Sequence, residues 1–148
     1  MKIAIIGTGN LGYSIAIGIL SQKSFKIKNL YLTKRNTASL STWENLPNVK
    51  ISSDNKEAVR FSDIIIVAVQ PNQLQLVLEE IKDEIDVKRH TIISVVTGRK
   101  IQEIETILGK DVAIIRSMPN TAISVGQSMT CISSNEKGKE NIELDKTI

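Results

Sequence analysis

The sequence predicts an α/β fold built on a doubly wound, mostly parallel β-sheet. Short apolar runs of strand length alternate with segments whose apolar residues recur at helical spacing, which is the pattern of repeated βαβ units. Several of these runs are apolar almost throughout, as in IIIVAV at 64–69, which is typical of strands covered by helices on both faces. A chain of 148 residues is long enough for one domain with a sizeable core.

Six strands are predicted along the first 116 residues. Right-handed crossovers between them predict the order 3-2-1-4-5-6, with strands one and four side by side and a crevice at their carboxyl ends. In chain order the strands are Lys2–Ile6, Asn29–Thr33, Val49–Ser52, Asp63–Val69, Thr91–Val96 and Val112–Arg116.

Four helices are predicted between the strands. The segment Asp54–Phe61 is short, and its Asp54-x-x-Glu57 spacing is that of a helix-capping pair. Three others are indicated by apolar stripes at i, i+3, i+4 spacing. The stripes are Leu11, Ile15 and Ile19; Leu74, Val77, Leu78, Ile81 and Ile85; and Ile101, Ile104, Ile107 and Leu108.

The pattern changes after the sixth strand. Residues Ser117–Gly126 are predicted to form a loop, Gln127–Ser133 one further strand, and Ser134–Ile148 a polar tail in which Glu140–Ile148 could start a helix. We therefore divide the chain into a folded domain at 1–133 and a tail at 134–148.

Composition excludes several classes of function. The net charge is +3, from 19 basic and 16 acidic residues dispersed along the chain, and only five side chains are aromatic, so a nucleic-acid surface is not expected. One cysteine cannot form an internal disulfide and no secretory leader is evident, which favours the cytoplasm. The longest apolar run is too short to cross a membrane. One histidine and one cysteine cannot assemble a structural zinc site, so no metal is expected.

The stretch IAIIGTGNLGYS, residues 3–14, carries a G-x-G-x-x-G motif between the first strand and the first helix. Gly7 permits a sharp turn, Gly9 leaves room for a pyrophosphate, and Gly12 lets the helix approach the strand. Free amides at the helix N-terminus then bind the anion. The context predicts a Rossmann-type dinucleotide-binding domain; the alternative is a tight glycine turn without a ligand.

The end of the second strand reads Thr33-Lys34-Arg35. Domains that bind NAD place a carboxylate here to accept hydrogen bonds from the ribose. The two cations and the Thr33 hydroxyl would instead attract a 2′-phosphate, which favours NADP (as NADPH) over NAD. The alternative is that Lys34 and Arg35 are solvated charges at a strand end.

Two further strand ends face the predicted crevice. Ala68-Val69-Gln70-Pro71 closes strand four, and Ser94 to Gly98 closes strand five with small residues that suit a cofactor's flat surfaces. No proton donor is found there. His90 is expected at the surface or a strand end, and Cys131 is expected to be a small buried residue, so the catalytic residue is unknown.

These elements together resemble the pyrroline-5-carboxylate reductase family, over nearly the whole chain and in order. Arg116-Ser117-Met118-Pro119-Asn120-Thr121 is the most specific motif. The other matching segments are Ile6 to Gly12, Asp54 to Val59, Ser62-Asp63, Ala68 to Pro71, Ile93 to Gly98 and Val125-Gly126.

The resemblance implies a cytoplasmic oxidoreductase of proline biosynthesis that passes a hydride from NADPH to the ring C=N bond of 1-pyrroline-5-carboxylate. Gln70, Thr97 and Ala122 depart from the residues common in the family. Cofactor contacts would fall on Ile6, Gly7, Thr8, Gly9, Asn10, Leu11, Lys34, Asn55, Ala68, Val69, Gln70, Pro71, Val95, Val96 and Thr97, with Asn120 and Thr121 beside the nicotinamide.

The family also has a helical second domain that builds a homodimer or higher oligomer and supplies most of the substrate pocket. We expect 134–148 to be its start and the 148-residue chain to be poorly active alone. Two alternatives stay open: another NADP- or deazaflavin-linked reductase of this fold, and a non-catalytic dinucleotide sensor.

Overall fold

A computed structural model describes residues 1–21, 28–119 and 130–142. The strands in these ranges are β1 Lys2–Ile6, β2 Asn29–Thr33, β3 Val49–Ser52, β4 Ile64–Val67, β5 Thr91–Ser94, β6 Ala113–Met118 and β7 Cys131–Ser134. They form one sheet in the order β3-β2-β1-β4-β5-β6-β7. The first six are parallel, and β7 pairs antiparallel with β6.

Helices cover both faces of this sheet. The α-helices are α1 Asn10–Ser21, α2 Asn55–Arg60, α3 Leu74–Ile81 and α4 Ile101–Leu108, and 3₁₀ helices span Thr37–Trp43, Lys82–Glu84 and Lys139–Asn141. Because side chains alternate along a strand, Ile64 and Ile66 pack in one core with α1, whereas Ile65 and Val67 pack in a second core with α2, α3 and α4. None of the helices in the described ranges is both long and apolar enough to cross a bilayer.

The predicted fold class, the order of the first six strands and the pairing of β1 beside β4 are confirmed. The first three strands agree residue for residue with prediction, while β4 and β5 end earlier, at Val67 and Ser94. The sixth strand extends to Met118, into the predicted loop, because Met118 pairs with Cys131 of β7.

Two local details differ from prediction. The Asp54 carboxylate caps α2 by accepting from the Glu57 amide at 3.0 Å, but Glu57 turns its side chain to Lys50 and Ser52, so the capping is not reciprocal. The 3₁₀ helix Thr37–Trp43 was not predicted. Leu40 is the one fully buried residue of this segment, so the sequence shows no repeated apolar spacing that would indicate a helix here.

The residues after β7 fold back on the sheet. Asn135 accepts hydrogen bonds from the amides of Ile114 and Gly138 and donates to the Val112 carbonyl and the Glu105 carboxylate, at 2.8–3.1 Å. The predicted boundary after Ser133 therefore falls inside β7. The possible helix start at 140 meets a 3₁₀ helix at Lys139–Asn141, and residues 143–148 lie outside the described residues.

Of two expectations about single residues, one was confirmed in part and the other was wrong. His90 lies at the strand end, directly before β5, which confirms one of its two expected positions, but it is not at the surface. It is buried, at 3% exposure, because its ring closes the preceding turn: Nδ1 accepts from the Asp86 amide at 3.0 Å. Cys131 is exposed rather than buried, since β7 forms the edge of the sheet and its side chain points outward.

We expect the buried His90 to make the domain less stable in mild acid. Burial, and secondarily the charge of Arg89, lower the pKa of His90 below its usual 6.5. The unfolded chain therefore binds a proton that the folded chain resists, and the free energy of unfolding falls as pH drops through about 6.5, by at most about 1.4 kcal/mol per pH unit. Urea unfolding between pH 7.5 and 5.5 measures this slope. It should become shallower in His90→Asn, and an unchanged slope would assign the acid sensitivity to other groups.

Candidate dinucleotide-binding site

The three glycines of the motif differ in what surrounds them. Gly7 has φ of +89°, and a Cβ added there would lie 2.6 Å from Val69 Cγ1. At Gly12 an added Cβ would lie 2.5 Å from the Gly7 carbonyl oxygen. At Gly9 an added Cβ would have no atom within 4 Å. Gly7 and Gly12 are therefore required by the fold, while Gly9 faces open space where a ligand could approach.

The Thr33 carbonyl at the end of β2 fixes the glycine loop. It accepts three hydrogen bonds: from the amides of Gly7 and Thr8, at 3.2 and 2.9 Å, and from the Thr8 hydroxyl at 3.1 Å. Both threonines are 1% exposed. The loop is thus held in one shape by buried polar contacts.

The first turn of α1 leaves donors available. Among the described residues, the amides of Asn10, Leu11 and Gly12 have no hydrogen-bond acceptor, whereas the Tyr13 amide donates to the Gly9 carbonyl at 2.8 Å. Unpaired amides and the positive end of the helix dipole attract anions. The loop thus combines open space at Gly9 with donors suited to an anion.

The basic turn after β2 only partly matches its predicted role. The Thr33 hydroxyl is buried and donates to Asn55 Oδ1 at 2.6 Å, so its proton is not offered to a phosphate. Lys34 Nζ donates to Ser39 Oγ at 2.8 Å. Arg35 is exposed, and no hydrogen bond or ion pair within the described ranges uses its guanidinium. Arg35 is the cation best placed to accept a new anion.

Asn55 links the second strand to two helices. It is the first residue of α2, accepts from Thr33, and donates from Nδ2 to Glu80 Oε2 on α3 at 3.0 Å. Both polar atoms of this predicted contact are therefore already paired, which fixes its orientation beside the basic turn.

The ends of β4 and β5 carry further predicted contacts. Ile6, Val95 and Val96 are at most 4% exposed, so they offer a cofactor almost no accessible surface. The remaining predicted contacts are accessible: Ala68 and Val69 are half-buried, and Gln70, Pro71 and Thr97 are exposed.

Sequence reasoning missed Arg99. Its Nη2 donates to the Pro71 carbonyl at 2.7 Å and its Nη1 pairs with Glu103 at 2.9 Å. Arg99 thereby ties the loop after β4 to the loop after β5. The sequence signal that could have identified Arg99 is its position as a charged residue directly after Gly98, at the end of a strand.

Some predicted features lie beyond these residues. Asn120 and Thr121 lie outside the described residues. Within the described ranges, no group of three or more His, Cys, Asp or Glu side chains is arranged to hold a metal ion.

Comparison with known proteins agrees with this geometry. The family model described as "NADP oxidoreductase coenzyme F420-dependent" matches residues 2–98, about two thirds of the chain. The chain belongs to this NADP oxidoreductase family. The relatives to which it is similar indicate which branch of reductases it resembles.

The named relatives confirm the resemblance to the N-terminal domain of pyrroline-5-carboxylate reductases. The chain is 42% identical over 160 residues to pyrroline-5-carboxylate reductase 1 of Dictyostelium discoideum, covering 99% of this chain and 28% of the relative. It is 44% identical over 133 residues to pyrroline-5-carboxylate reductase 2 of the same organism, covering 88% and 44%.

Solved structures of pyrroline-5-carboxylate reductases agree. The reductase of Coxiella burnetii has a TM-score of 0.88 at 30% identity, over 99% of this chain and 54% of that one. The Plasmodium falciparum enzyme, solved with NADP bound, has a TM-score of 0.80 at 27% identity, over 96% and 52%. The chain thus spans about half the length of these solved structures, and 28% and 44% of the two Dictyostelium relatives.

Proposed function

We propose that this domain binds NADPH across the carboxyl ends of β1, β2, β4 and β5. The observation that carries the proposal is the glycine loop: open space at Gly9 next to the unpaired amides of Asn10, Leu11 and Gly12. These amides would hold the diphosphate, and Arg35 would bind the 2′-phosphate with paired donors. The NADP-bound Plasmodium relative supports the same cofactor.

We further propose that the domain serves a pyrroline-5-carboxylate reductase, an enzyme of proline biosynthesis. NADPH, when bound, supplies the hydride that reduces the ring C=N bond of 1-pyrroline-5-carboxylate to L-proline. The protein's part is to orient the nicotinamide: the Arg99 bridge between the loops after β4 and β5 fixes the backbone at that end of the crevice. Asn120 and Thr121 are proposed to lie beside the nicotinamide.

The remaining functional assignments are proposals of the same kind. We propose a cytoplasmic enzyme that forms a homodimer or higher oligomer. The NADP-binding domain, predicted as 1–133, would include the whole of β7, and the chain after β7 would lead into a helical substrate domain. We expect slow turnover from the 148-residue chain alone. NADPH absorbance in the presence of pyrroline-5-carboxylate measures this, and brisk turnover would contradict it.

A second candidate follows from the description of the matching family, which includes coenzyme F420. A deazaflavin-linked reductase would use the same crevice, because the fold does not set the substrate. Reduced F420, mixed with NADP and the protein, would then lose its electrons to NADP. If no transfer occurs although the protein binds NADPH, the deazaflavin-linked candidate is excluded and the imine reductase is retained.

Replacing Arg35 with alanine is expected to remove most of the preference for NADPH over NADH. NADPH should lose about tenfold in affinity, equivalent to about 1.4 kcal/mol, because a charge-assisted pair to the 2′-phosphate is lost. NADH lacks that phosphate and should bind equally well to both proteins. Calorimetric titration of each coenzyme gives the ratio.

Lys110→Ala is the matched control, since it removes one exposed positive charge outside the proposed site. It should leave the ratio of the two affinities unchanged. Equal affinities for NADPH and NADH in the parent protein would contradict the 2′-phosphate assignment.

A further inference from the structure

The 3₁₀ helix Thr37–Trp43 begins directly after the basic turn, Lys34-Arg35. Asn36 Oδ1 caps it by accepting from the Ala38 amide at 3.1 Å. Lys34 Nζ donates to Ser39 Oγ in its first turn at 2.8 Å. The basic turn and the start of the 3₁₀ helix therefore form one hydrogen-bonded unit.

The other end of the 3₁₀ helix contacts α1, the helix that follows the glycine loop. The Trp43 indole stacks on the Tyr13 ring with centroids 4.4 Å apart and planes at 20°. Tyr13 follows Gly12 in the first turn of α1, and its amide donates to the Gly9 carbonyl. Leu40 also anchors this segment, since it is fully buried while most of its neighbours are exposed.

We infer that the Tyr13–Trp43 stack positions the basic turn relative to the glycine loop and so helps to determine the preference for NADPH. This inference depends on the proposed function. The diphosphate and the 2′-phosphate belong to one molecule with a limited range of separations. A protein gains from both contacts only if the α1 amides and Arg35 are held at a matching distance.

Removing either ring leaves the contacts with the diphosphate in place but frees the turn that carries Arg35. NADPH affinity should therefore fall more than NADH affinity. A stack that served stability alone would, when removed, weaken both coenzymes equally or neither. The ratio of the two affinities separates a positioning role from a purely structural one.

The test uses Trp43→Leu, Tyr13→Leu and the double variant, with calorimetric titration of NADPH and NADH. Each single variant should lose about five- to tenfold in NADPH affinity and no more than about twofold for NADH, and the double variant should lose no more than the worse single one because the rings act as a pair. Trp43→Phe keeps an aromatic ring and should restore most of the preference. Leu46→Ala, at an exposed apolar residue just past the 3₁₀ helix, should change nothing.

The outcomes distinguish the proposed 2′-phosphate site from the positioning role of the Tyr13–Trp43 stack. If the parent protein fails to prefer NADPH, the proposed 2′-phosphate site has failed. If the parent prefers NADPH and the leucine variants keep that preference, the positioning role is overturned. An equal loss for both coenzymes, or no rescue by Trp43→Phe, also overturns it.

Discussion

Replacing Gly12 with alanine is expected both to destabilise the domain and to remove NADPH binding. The added methyl group would lie 2.5 Å from the Gly7 carbonyl oxygen and 3.3 Å from Ile5 Cγ2, so α1 or the glycine loop must move. Overpacking of this kind costs about 1–3 kcal/mol of unfolding free energy. The displaced amides would no longer converge on a diphosphate, and affinity should fall by at least about a hundredfold, or about 2.7 kcal/mol.

Gly9→Ala separates the two effects. No atom lies within 4 Å of the position its methyl group would occupy, so the free energy of unfolding should change by less than about 0.5 kcal/mol. The methyl group would nevertheless occupy the proposed approach of the pyrophosphate. Urea unfolding and calorimetric titration of both variants test this. If Gly9→Ala binds NADPH as tightly as the parent protein, the proposal that this loop holds the diphosphate is wrong.

Replacing Asn135 with alanine is expected to cost about 3 kcal/mol of unfolding free energy, because buried amides and a carbonyl lose their partners at about 1–3 kcal/mol each. The side chain makes four hydrogen bonds, to Ile114, Gly138, Val112 and Glu105. Water can satisfy only part of what is lost, since the site is partly buried. Urea unfolding at neutral pH measures the change.

The neighbouring Asn141 provides the matched control. Among the residues that the structure describes, its side chain makes one hydrogen bond, from Nδ2 to Thr91 Oγ1 at 2.9 Å. Asn141→Ala should therefore cost about 1 kcal/mol or less. Equal costs for the two alanine variants would show that the turn after β7 contributes little to the stability of the sheet.

Sequence periodicity was enough to predict the parallel core. Branched apolar runs such as Ile64–Val67 can be buried on both faces only between two helical layers, and the crossover rule then orders the strands. Strand ends were less predictable. Met118 continues β6 because β7 pairs beside it, and no local signal in Ser117 or Met118 announces that long-range contact.

The candidate site was predictable where the backbone alone decides it. Gly7 and Gly12 have conformational or steric requirements that the spacing of the motif reveals, and Gly9 leaves open the space that the motif predicts for a ligand. The fate of a side chain depends instead on its neighbours in space. The Thr33 hydroxyl is paired to Asn55, Arg99 bridges to Pro71, and Trp43 reaches Tyr13 across 30 positions of sequence. The sequence can mark such a residue as a candidate, as it does Arg99 after Gly98, but it does not show which residue will be its partner.

The triple acceptor role of the Thr33 carbonyl has a thermodynamic consequence. A loop already locked by its contacts with β2 has little conformational entropy left to lose when a nucleotide docks. Binding at this loop is therefore expected to proceed close to a rigid lock-and-key association, with the backbone of residues 7–9 hardly changing between the free and the occupied protein.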